Sequence, residues 1–242
     1  MNREYHKWYS PSLGRDMELL VFGNAGVPVV FFPTRTARFY DYENWKIIEA
    51  LRGKIEKGLL QVYCVDSIDA ESFYSAHTHP GQRINRHMQY EQYIINEVLP
   101  LIRKKNSNDY LISAGCSLGA YHAVNIAFKH PQLFRKAVGM SGRYDLTVAL
   151  DNFRDLFDGY RDEAIFSNMP NQFVPHLTDP RALDALKKMD IVFAIGKEDA
   201  FFDSNRSLSQ SLREKKVLHA MHVWEEEAHR PRYWRRMVQL YL

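Results

Sequence analysis

Short runs rich in β-branched and aromatic residues recur along this chain of 242 residues, and each has the length of a strand. Several runs are apolar throughout, which is typical of strands that are buried on both faces of a parallel sheet. Strands are therefore predicted over residues 18–22, 29–32, 60–65, 110–114, 137–140, 191–195 and 219–224.

Longer segments with helical spacing of their apolar residues lie between these runs. Helices are predicted over residues 42–56, 83–104, 118–129, 180–188, 204–215 and 231–240. Pro180 and Pro231 fit the first position of a helix, where the N–H that proline lacks has no partner to lose. The alternation of strands and helices predicts an α/β fold with a mostly parallel sheet.

The composition narrows the class of protein. With 45% hydrophobic and 25% charged residues, the chain is a packed globular protein and not a disordered, collagen-like or low-complexity one. The formal net charge is only +3, from 32 Lys and Arg against 29 Asp and Glu, and no long block of like charge accompanies it. A nucleic-acid partner is therefore not expected, and the basic segment 230–236 is interpreted as the solvated face of a helix.

The cysteines and the apolar runs indicate the cellular compartment in which the protein is expected. Cys64 and Cys116 could form at most one disulfide, and both lie in or beside apolar runs where buried thiols are common. No uncharged apolar run reaches the roughly 18 residues that a membrane span needs, and the N-terminus lacks the hydrophobic stretch of a secretion signal. We therefore expect a cytoplasmic protein with no membrane partner.

The chain shows no internal repeat and no linker rich in Gly, Ser or Pro. A single domain is accordingly predicted over residues 1–242. Only residues 143–179 form a long stretch without clear periodicity, and they are predicted to be a lid-like insertion over the sheet.

The sharpest chemical signal is Gly115-Cys116-Ser117-Leu118-Gly119, which follows a predicted strand and opens a predicted helix. This is the context of a nucleophile elbow, a turn that lifts a serine hydroxyl clear of the sheet and demands small neighbours because its backbone is strained. The same five-residue pattern also occurs in glycine-rich structural turns. Here the strand and helix around it favour Ser117 as a nucleophile.

A serine nucleophile needs a carboxylate that orients its base, and on this kind of fold the acid follows a later strand. The strand over 191–195 ends in Gly-Lys-Glu-Asp, which makes Asp199 the leading candidate. Glu198 and Asp203 remain alternatives, and Asp203 could instead cap the helix that follows it.

His229 is the best candidate for the base, because it follows the last strand and stands two residues before Pro231, in a loop that can reach inward. Among the other histidines, His219 and His222 lie within a strand, and His122 is expected on the helix surface because it is about 140° around the helix from Ser117. His77 and His79 could suggest a metal, but no further ligand stands at a recognisable spacing, so a surface loop and no metal site are expected.

Two backbone N–H groups are predicted to stabilise an oxyanion. One belongs to Leu118 at the start of the helix. The other should come from the loop after strand 29–32, and because Pro33 has no N–H it must belong to Arg35 or Thr34. The Arg35 side chain could also bind a carboxylate or phosphate of the substrate, or simply face solvent.

The predicted loops around Ser117 offer an aromatic wall and two further cations. The wall would suit an aryl or medium acyl group, although these rings could equally belong to the core beneath the insertion. Arg83 and Arg86 could meet a polar end of the substrate, or occupy exposed helix positions. The aromatic candidates are Phe73, Tyr74, His77, His79, Tyr144, Phe153, Phe157, Phe166 and Phe173.

The order of the chemical motifs resembles that of the putative esterase (esterase D-like) family of α/β-hydrolases. The motifs are Gly-Cys-Ser-Leu-Gly-Ala, then Gly-Lys-Glu-Asp199, then Glu-Ala-His229 with Tyr233-Trp234 shortly after. The resemblance implies an α/β-hydrolase fold with a mostly parallel central sheet of about eight strands and helices on both faces. It also implies a small-molecule carboxylic ester as substrate, no metal or organic cofactor, and a tendency to form homo-oligomers. One departure is that members usually carry His-Gly where this chain has Pro33-Thr34.

The predicted function is a serine carboxylic-ester hydrolase that acts through Ser117, His229 and Asp199 and an acyl-enzyme intermediate. An acyltransferase with the same triad is an alternative, because water and an alcohol compete for one acyl-enzyme. A non-catalytic binding or scaffold protein with a hydrolase fold is a second alternative, which the substituted Pro33-Thr34 loop favours.

Overall fold

A computed structural model describes residues 1–150 and 152–242 of the chain. Its eight strands form one sheet, in which β3 to β8 run parallel and β1 and β2 are antiparallel to their neighbours. This confirms the predicted mostly parallel sheet. The strands are β1 (Arg3–Ser10), β2 (Arg15–Phe22), β3 (Val27–Phe32), β4 (Leu60–Val65), β5 (Ile112–Cys116), β6 (Lys136–Met140), β7 (Asp190–Gly196) and β8 (Ala220–Trp224).

Across the sheet the strands follow the order β1-β2-β4-β3-β5-β6-β7-β8. Because parallel strands all end at the same edge, the loops after β3, β4, β5 and β7 meet there. The candidate catalytic residues of the chain lie in these loops and in the loop after β8.

The helices differ from the predicted ones mainly at their ends and at two irregular points. The predicted helix 42–56 is interrupted at Lys46, which has φ 59°, and the predicted helix 83–104 begins earlier and contains a π-helical turn, Ile94–Val98. The helices are α1 (Asp41–Asn44), α2 (Ile47–Glu56), α3 (Pro80–Tyr93), α4 (Leu99–Lys105), α5 (Leu118–Lys129), α6 (Glu163–Phe166), α7 (Pro170–His176), α8 (Pro180–Lys187), α9 (Phe202–Glu214) and α10 (Pro231–Tyr241).

Helices cover both faces of the sheet, as predicted. On one face, α2 and α10 bury Leu51 and Met237 against the strands. On the other face, α3, α5 and α9 contribute residues such as Tyr93, Val124 and Leu208 to a second apolar cluster. The sheet is therefore the middle layer of three.

Strand β1 was not predicted, because its residues alternate between half-buried and exposed and include few apolar side chains. It is the edge strand of the sheet, and among residues 1–150 and 152–242 it pairs only with β2. The side chains of Trp8 and Ser10 donate hydrogen bonds to Glu97 on the π-helical turn, at 2.8 Å each. Polar contacts therefore hold this strand where an apolar pattern does not.

The segment 143–179 packs over α3 and α5 through a third apolar cluster that includes Leu146, Phe157, Leu118 and Tyr121. It contains α6 and α7, and its residue Asp151 lies outside the described residues. Its role as a lid, and the single domain over residues 1–242, remain predictions.

Two further observations concern the chain as a whole. Within residues 1–150 and 152–242, no helix combines the length and the apolar character needed to cross a bilayer. Cys64 and Cys116 are both buried free thiols, and burial raises the pKa of each.

Candidate active site

Ser117 sits in the sharp turn between β5 and α5. Its φ of 56° and ψ of −122° are strained for a residue with a side chain, and its N–H donates to Met140 O at 2.8 Å. A Cβ on Gly115 would lie 2.2 Å from the backbone of Gly119, and a Cβ on Gly119 would lie 2.2 Å from Phe32 O. The turn therefore requires glycine at both positions, as the sequence motif indicated.

The fold brings three of the predicted residues together at the sheet edge. His229 Nε2 lies 2.9 Å from Ser117 Oγ, and His229 Nδ1 lies 2.8 Å from Asp199 Oδ2. The Asp199 side chain is only 2% exposed and that of His229 is 15% exposed. A hydroxyl, an imidazole and a buried carboxylate thus form a continuous hydrogen-bonded chain.

Asp199 is the only one of the three candidate acids that contacts His229 among the described residues. Its second oxygen accepts a hydrogen bond from Phe201 N at 2.9 Å, which fixes the carboxylate. Glu198 is exposed, and the Asp203 side chain is 84% exposed beside Arg206. The interpretation of Asp203 as a helix cap is wrong, because α9 begins at Phe202 with Phe201 as its N-cap, which places Asp203 inside the first turn.

The loop that carries His229 is anchored to Ser141, which directly follows β6. Ser141 Oγ donates to Ala228 O at 3.1 Å and accepts a hydrogen bond from Trp234 Nε1 at 3.0 Å. The rings of Phe201 and Trp234 each lie 5.7 Å from the His229 ring, centroid to centroid. These contacts hold the imidazole between Ser117 and Asp199.

The two predicted sources of oxyanion donors lie beside the serine. Leu118 begins α5, where the first N–H groups of a helix have no intrahelical partner, and Thr34 and Arg35 follow β3 and line the same cavity as Ser117. Thr36, with φ 53°, donates its N–H to Asp69 Oδ2 at 3.1 Å. A buried carboxylate thus fixes the loop after β3.

The expectation that His122 is a helix-surface residue is wrong. His122 is 3% exposed, and its Nε2 lies 3.1 Å from Oδ1 of Asp69, which is 1% exposed. Helix α5 is buried on almost every side, so an angular separation from Ser117 does not place a residue in solvent. Asp69 itself was missed, although it follows the apolar strand β4 at the edge where the site lies.

Tyr42 is a second residue that the sequence did not single out. Its hydroxyl donates to Phe32 O at 2.7 Å and accepts a hydrogen bond from Cys116 N at 3.0 Å. The side chain is 2% exposed, and burial raises its pKa well above the ordinary value. One phenol therefore joins the end of β3 to the residue that precedes Ser117.

We expect Tyr42→Phe to lower the free energy of unfolding by about 1–3 kcal/mol, because the buried Phe32 carbonyl and Cys116 N–H would lose their partner. Urea denaturation followed by circular dichroism measures this change. Tyr40→Phe is the matched control, because Tyr40 is exposed and its hydroxyl makes no hydrogen bond to a described residue. Equal midpoints for Tyr42→Phe and wild type would contradict the bridging role.

A cavity of about 290 Å³ opens beside Ser117. Of the predicted aromatic wall, Tyr74 and Phe153 line it, whereas Phe73, Tyr144 and Phe157 are fully buried in the core. The residues that line the cavity are Thr34, Arg35, Tyr74, Ser117, Leu118, Arg143, Leu146, Phe153, Phe201, His229 and Trp234.

The other histidines lie apart from the serine. His77 is exposed, and His79 caps α3 by accepting a hydrogen bond from Gly81 N at 3.2 Å. His219 contacts Ser209 at 2.7 Å, and His222 stacks on the C-terminal helix. In the part of the chain that the structure describes, no three His, Cys, Asp or Glu residues are grouped as a metal site would require.

The other predicted cations do not line the cavity. Arg83 Nη1 lies 2.8 Å from Asp158, and Arg86 Nη2 lies 2.7 Å from Glu71. Arg230 and Arg232 are largely exposed beside or on α10, with 67% and 63% of their side chains accessible, as expected for a solvated helix face.

Comparison with known proteins gives one family and many similar folds. The model of the family described as Putative esterase matches residues 10–238. A comparison with curated protein sequences gave no significant match.

Several solved structures superpose over nearly the whole chain. A ferulic acid esterase has a TM-score of 0.77 at 16% identity, covering 99% of this chain and 95% of its own. The fluorophosphonate-binding serine hydrolase FphF of Staphylococcus aureus has a TM-score of 0.75 at 17% identity, covering 99% and 96%. The S-formylglutathione hydrolase FrmB of Staphylococcus aureus has a TM-score of 0.69 at 19% identity, covering 99% and 96%. These likenesses confirm the predicted α/β-hydrolase fold.

Proposed function

The chain belongs to the Putative esterase family, and on that premise we propose that it is a serine esterase in which Ser117, His229 and Asp199 form a catalytic triad. The family makes the protein a carboxylic-ester hydrolase, and the structural neighbours include serine hydrolases. The observation that carries the proposal is the pair of hydrogen bonds at His229, of 2.9 Å to Ser117 Oγ and 2.8 Å to Asp199 Oδ2.

In the proposed reaction, His229 Nε2 takes the hydroxyl proton of Ser117 while Oγ attacks the ester carbonyl carbon. The tetrahedral intermediate collapses, the bond to the alcohol oxygen breaks, and the alcohol leaves with the proton from His229. Water then attacks the acyl-enzyme with the same base, which releases the carboxylic acid and restores Ser117. Asp199 holds the imidazole with Nε2 free to accept a proton and stabilises the imidazolium.

The negative charge that develops on the carbonyl oxygen is proposed to meet the N–H of Leu118 and that of Arg35 or Thr34. Asp69 supports this assignment, because its hydrogen bond to Thr36 N fixes the loop that carries the second donor. Fixed donors stabilise the transition state because they need not reorganise during the reaction.

Two assays on the purified protein test the proposal directly. It should hydrolyse p-nitrophenyl esters of short acids, and a fluorophosphonate probe should label it covalently. If neither reaction occurs, the serine esterase proposal is wrong, and the chain is better explained as a binding protein on a hydrolase fold.

Asp199→Asn is expected to lower kcat by about three to four orders of magnitude, because an amide at this position favours the wrong tautomer of the imidazole. Steady-state hydrolysis of a p-nitrophenyl ester measures the effect. Glu198→Gln and Asp203→Asn are matched controls that remove neighbouring exposed carboxylates, and each should retain activity within about threefold, since neither contacts the triad. Severe loss in either control with near-normal Asp199→Asn would move the acid role to that residue.

A further inference from the structure

We propose that the preferred substrate of this site is an ester that carries a carboxylate, and that Arg143 and Arg35 bind that carboxylate. The inference rests on the proposed esterase function and adds the substrate class to it. Four observations support it: the partners of Arg143, the charges around the cavity, the placement of the two guanidinium groups, and the contrast with other arginines.

The guanidinium of Arg143 is held by neutral partners only among the described residues. Arg143 is 5% exposed. Its Nε donates to Asp145 O at 3.2 Å, and its Nη2 lies within hydrogen-bond distance of Leu146 O, Val148 O and Arg154 O, at 3.3, 2.7 and 2.8 Å. These carbonyls fix the side chain, none of its hydrogen-bond partners is a carboxylate, and Nη1 is left with no acceptor in residues 1–150 and 152–242.

The cavity beside Ser117 has an excess of positive charge. Both Arg35 and Arg143 line it, and no Asp or Glu of the described residues does. Burying a cation is costly, and burial lowers the pKa of Arg143, although the charges of Asp145 and Asp155 nearby offset part of that effect. A substrate anion would compensate this charge and would gain strong, charge-assisted hydrogen bonds.

Both guanidinium groups lie beside aromatic side chains that line the cavity. The Arg35 guanidinium carbon lies 5.6 Å from the centroid of the Tyr74 ring, and that of Arg143 lies 5.7 Å from the centroid of the Phe201 ring. Burial raises the pKa of Tyr74, and the charges of Arg35 and Arg143 both oppose that rise. Arg143 therefore provides a fixed cation inside the cavity, and Arg35 provides an exposed one at its rim.

Other arginines of this region show what a purely structural role looks like. Arg83, which is 4% exposed, has the carboxylate of Asp158 at 2.8 Å. Arg161 donates to Thr147 O at 2.9 Å and also pairs with Asp155 at 2.9 Å. In the described part of the chain, Arg143 differs from both because none of its hydrogen-bond partners is a carboxylate.

The site is small, which limits the anion. A cavity of about 290 Å³ with aromatic side chains in its wall suits a compact ester. The planar guanidinium presents N–H groups that match the two oxygens of a carboxylate. A short dicarboxylic half-ester satisfies both conditions.

The test compares p-nitrophenyl hydrogen fumarate, which is anionic, with p-nitrophenyl (E)-pent-2-enoate, which is neutral and of similar length. The trans double bond keeps the carboxylate of the first ester from attacking its own ester carbonyl. The kcat/KM ratio of the two esters is measured for wild type, Arg143→Gln, Arg35→Gln and Arg161→Gln. Comparing ratios between variants cancels the intrinsic reactivity of each ester. Arg161→Gln is the control, because it removes a guanidinium of the same segment that does not line the cavity.

In Arg143→Gln we expect the ratio of anionic to neutral kcat/KM to fall about tenfold to hundredfold, which is the range for a hydrogen bond to a charged group. The loss should lie mainly in KM, since the carboxylate is remote from the reacting bonds. Arg35→Gln should show a smaller fall that salt diminishes, because its side chain is exposed. Arg161→Gln should leave the ratio unchanged.

Three outcomes separate the explanations. Unchanged ratios in Arg143→Gln and Arg35→Gln, with the neutral ester still hydrolysed, overturn the inference and leave the esterase function standing. Equal loss for both esters in Arg143→Gln, with no effect of Arg35→Gln, also overturns it, because it assigns Arg143 a structural role. Failure of the wild type on both esters overturns the proposed function itself. If Arg143→Gln does not fold, Arg35→Gln and the charge-retaining Arg143→Lys are compared instead. A salt-dependent fall of the ratio in Arg35→Gln, with most of the ratio kept in Arg143→Lys, supports the inference. An unchanged ratio in Arg35→Gln overturns it.

Discussion

Ser117→Ala is expected to lower kcat/KM for a p-nitrophenyl ester by about five orders of magnitude and to abolish covalent labelling by a fluorophosphonate. The alanine removes the only described hydroxyl within reach of His229 Nε2, which lies 2.9 Å from Ser117 Oγ. The residual rate would come from oxyanion stabilisation and binding alone. Steady-state kinetics and labelling followed by intact-mass spectrometry measure the two effects.

Ser75→Ala is the matched control for this substitution, because Ser75 is also half-buried and its Oγ contacts Thr78 at 2.6 Å, away from the triad. It should keep the labelling and most of the activity. The midpoint of thermal unfolding of Ser117→Ala should stay close to that of the wild type, since the backbone turn is unchanged and the one hydrogen bond lost is to the partly exposed ring of His229. Labelling that persists in Ser117→Ala would identify another nucleophile and refute the proposed triad.

His229→Ala should cause a loss of similar size, because no other described base lies beside the serine and the hydroxyl alone is a weak nucleophile. The double variant Ser117→Ala, His229→Ala is the sharper measurement. Residues that act as one unit are not additive, so it should be about as inactive as either single variant.

His222→Ala serves as the control for the histidine. It removes an exposed imidazole from β8 that stacks on Tyr241 at 4.7 Å and does not approach Ser117. Its activity should match the wild type within about twofold. A His229→Ala enzyme with near-normal kcat would show that the 2.9 Å contact to Ser117 is incidental.

The sequence predicted the sheet and the three grouped residues for a common physical reason. Parallel strands end at one edge, so residues that directly follow such strands, as Ser117 and Asp199 do, must lie near one another. The need for glycine in the elbow could be predicted because a side chain there would collide with the backbone of β3 or α5. The position of His229 could be predicted because it follows the last strand and precedes a helix start.

The features that sequence reasoning missed depend on contacts between distant loops. Tyr42, Asp69 and Arg143 each belong to a different segment, and their roles exist only once those segments close on the strand ends. His122 was misplaced because a helical angle predicts exposure only for a helix with one free face, whereas α5 is enclosed. The edge strand β1 was not predicted because it is held by polar contacts to Glu97 and lacks the apolar pattern of a buried strand.

The lid function of residues 143–179, the single domain, the cytoplasmic location, homo-oligomer formation and the alternative of transfer to an alcohol stay predictions. Adding a small alcohol to the p-nitrophenyl assay and analysing the products separates transfer from hydrolysis. These properties are not encoded in the spacing of motifs along the chain.

The shared use of Asp69 has a consequence for the timing of turnover. One oxygen of the Asp69 carboxylate accepts a hydrogen bond from Thr36 N, and the other contacts His122. The turn after β3 and the helix that follows the nucleophile are therefore both held by this carboxylate. We expect this shared contact to limit the motion of the turn relative to the helix. Motion that admits the ester or releases the acid is then expected in the segment that carries Arg143 and Phe153, which line the same cavity.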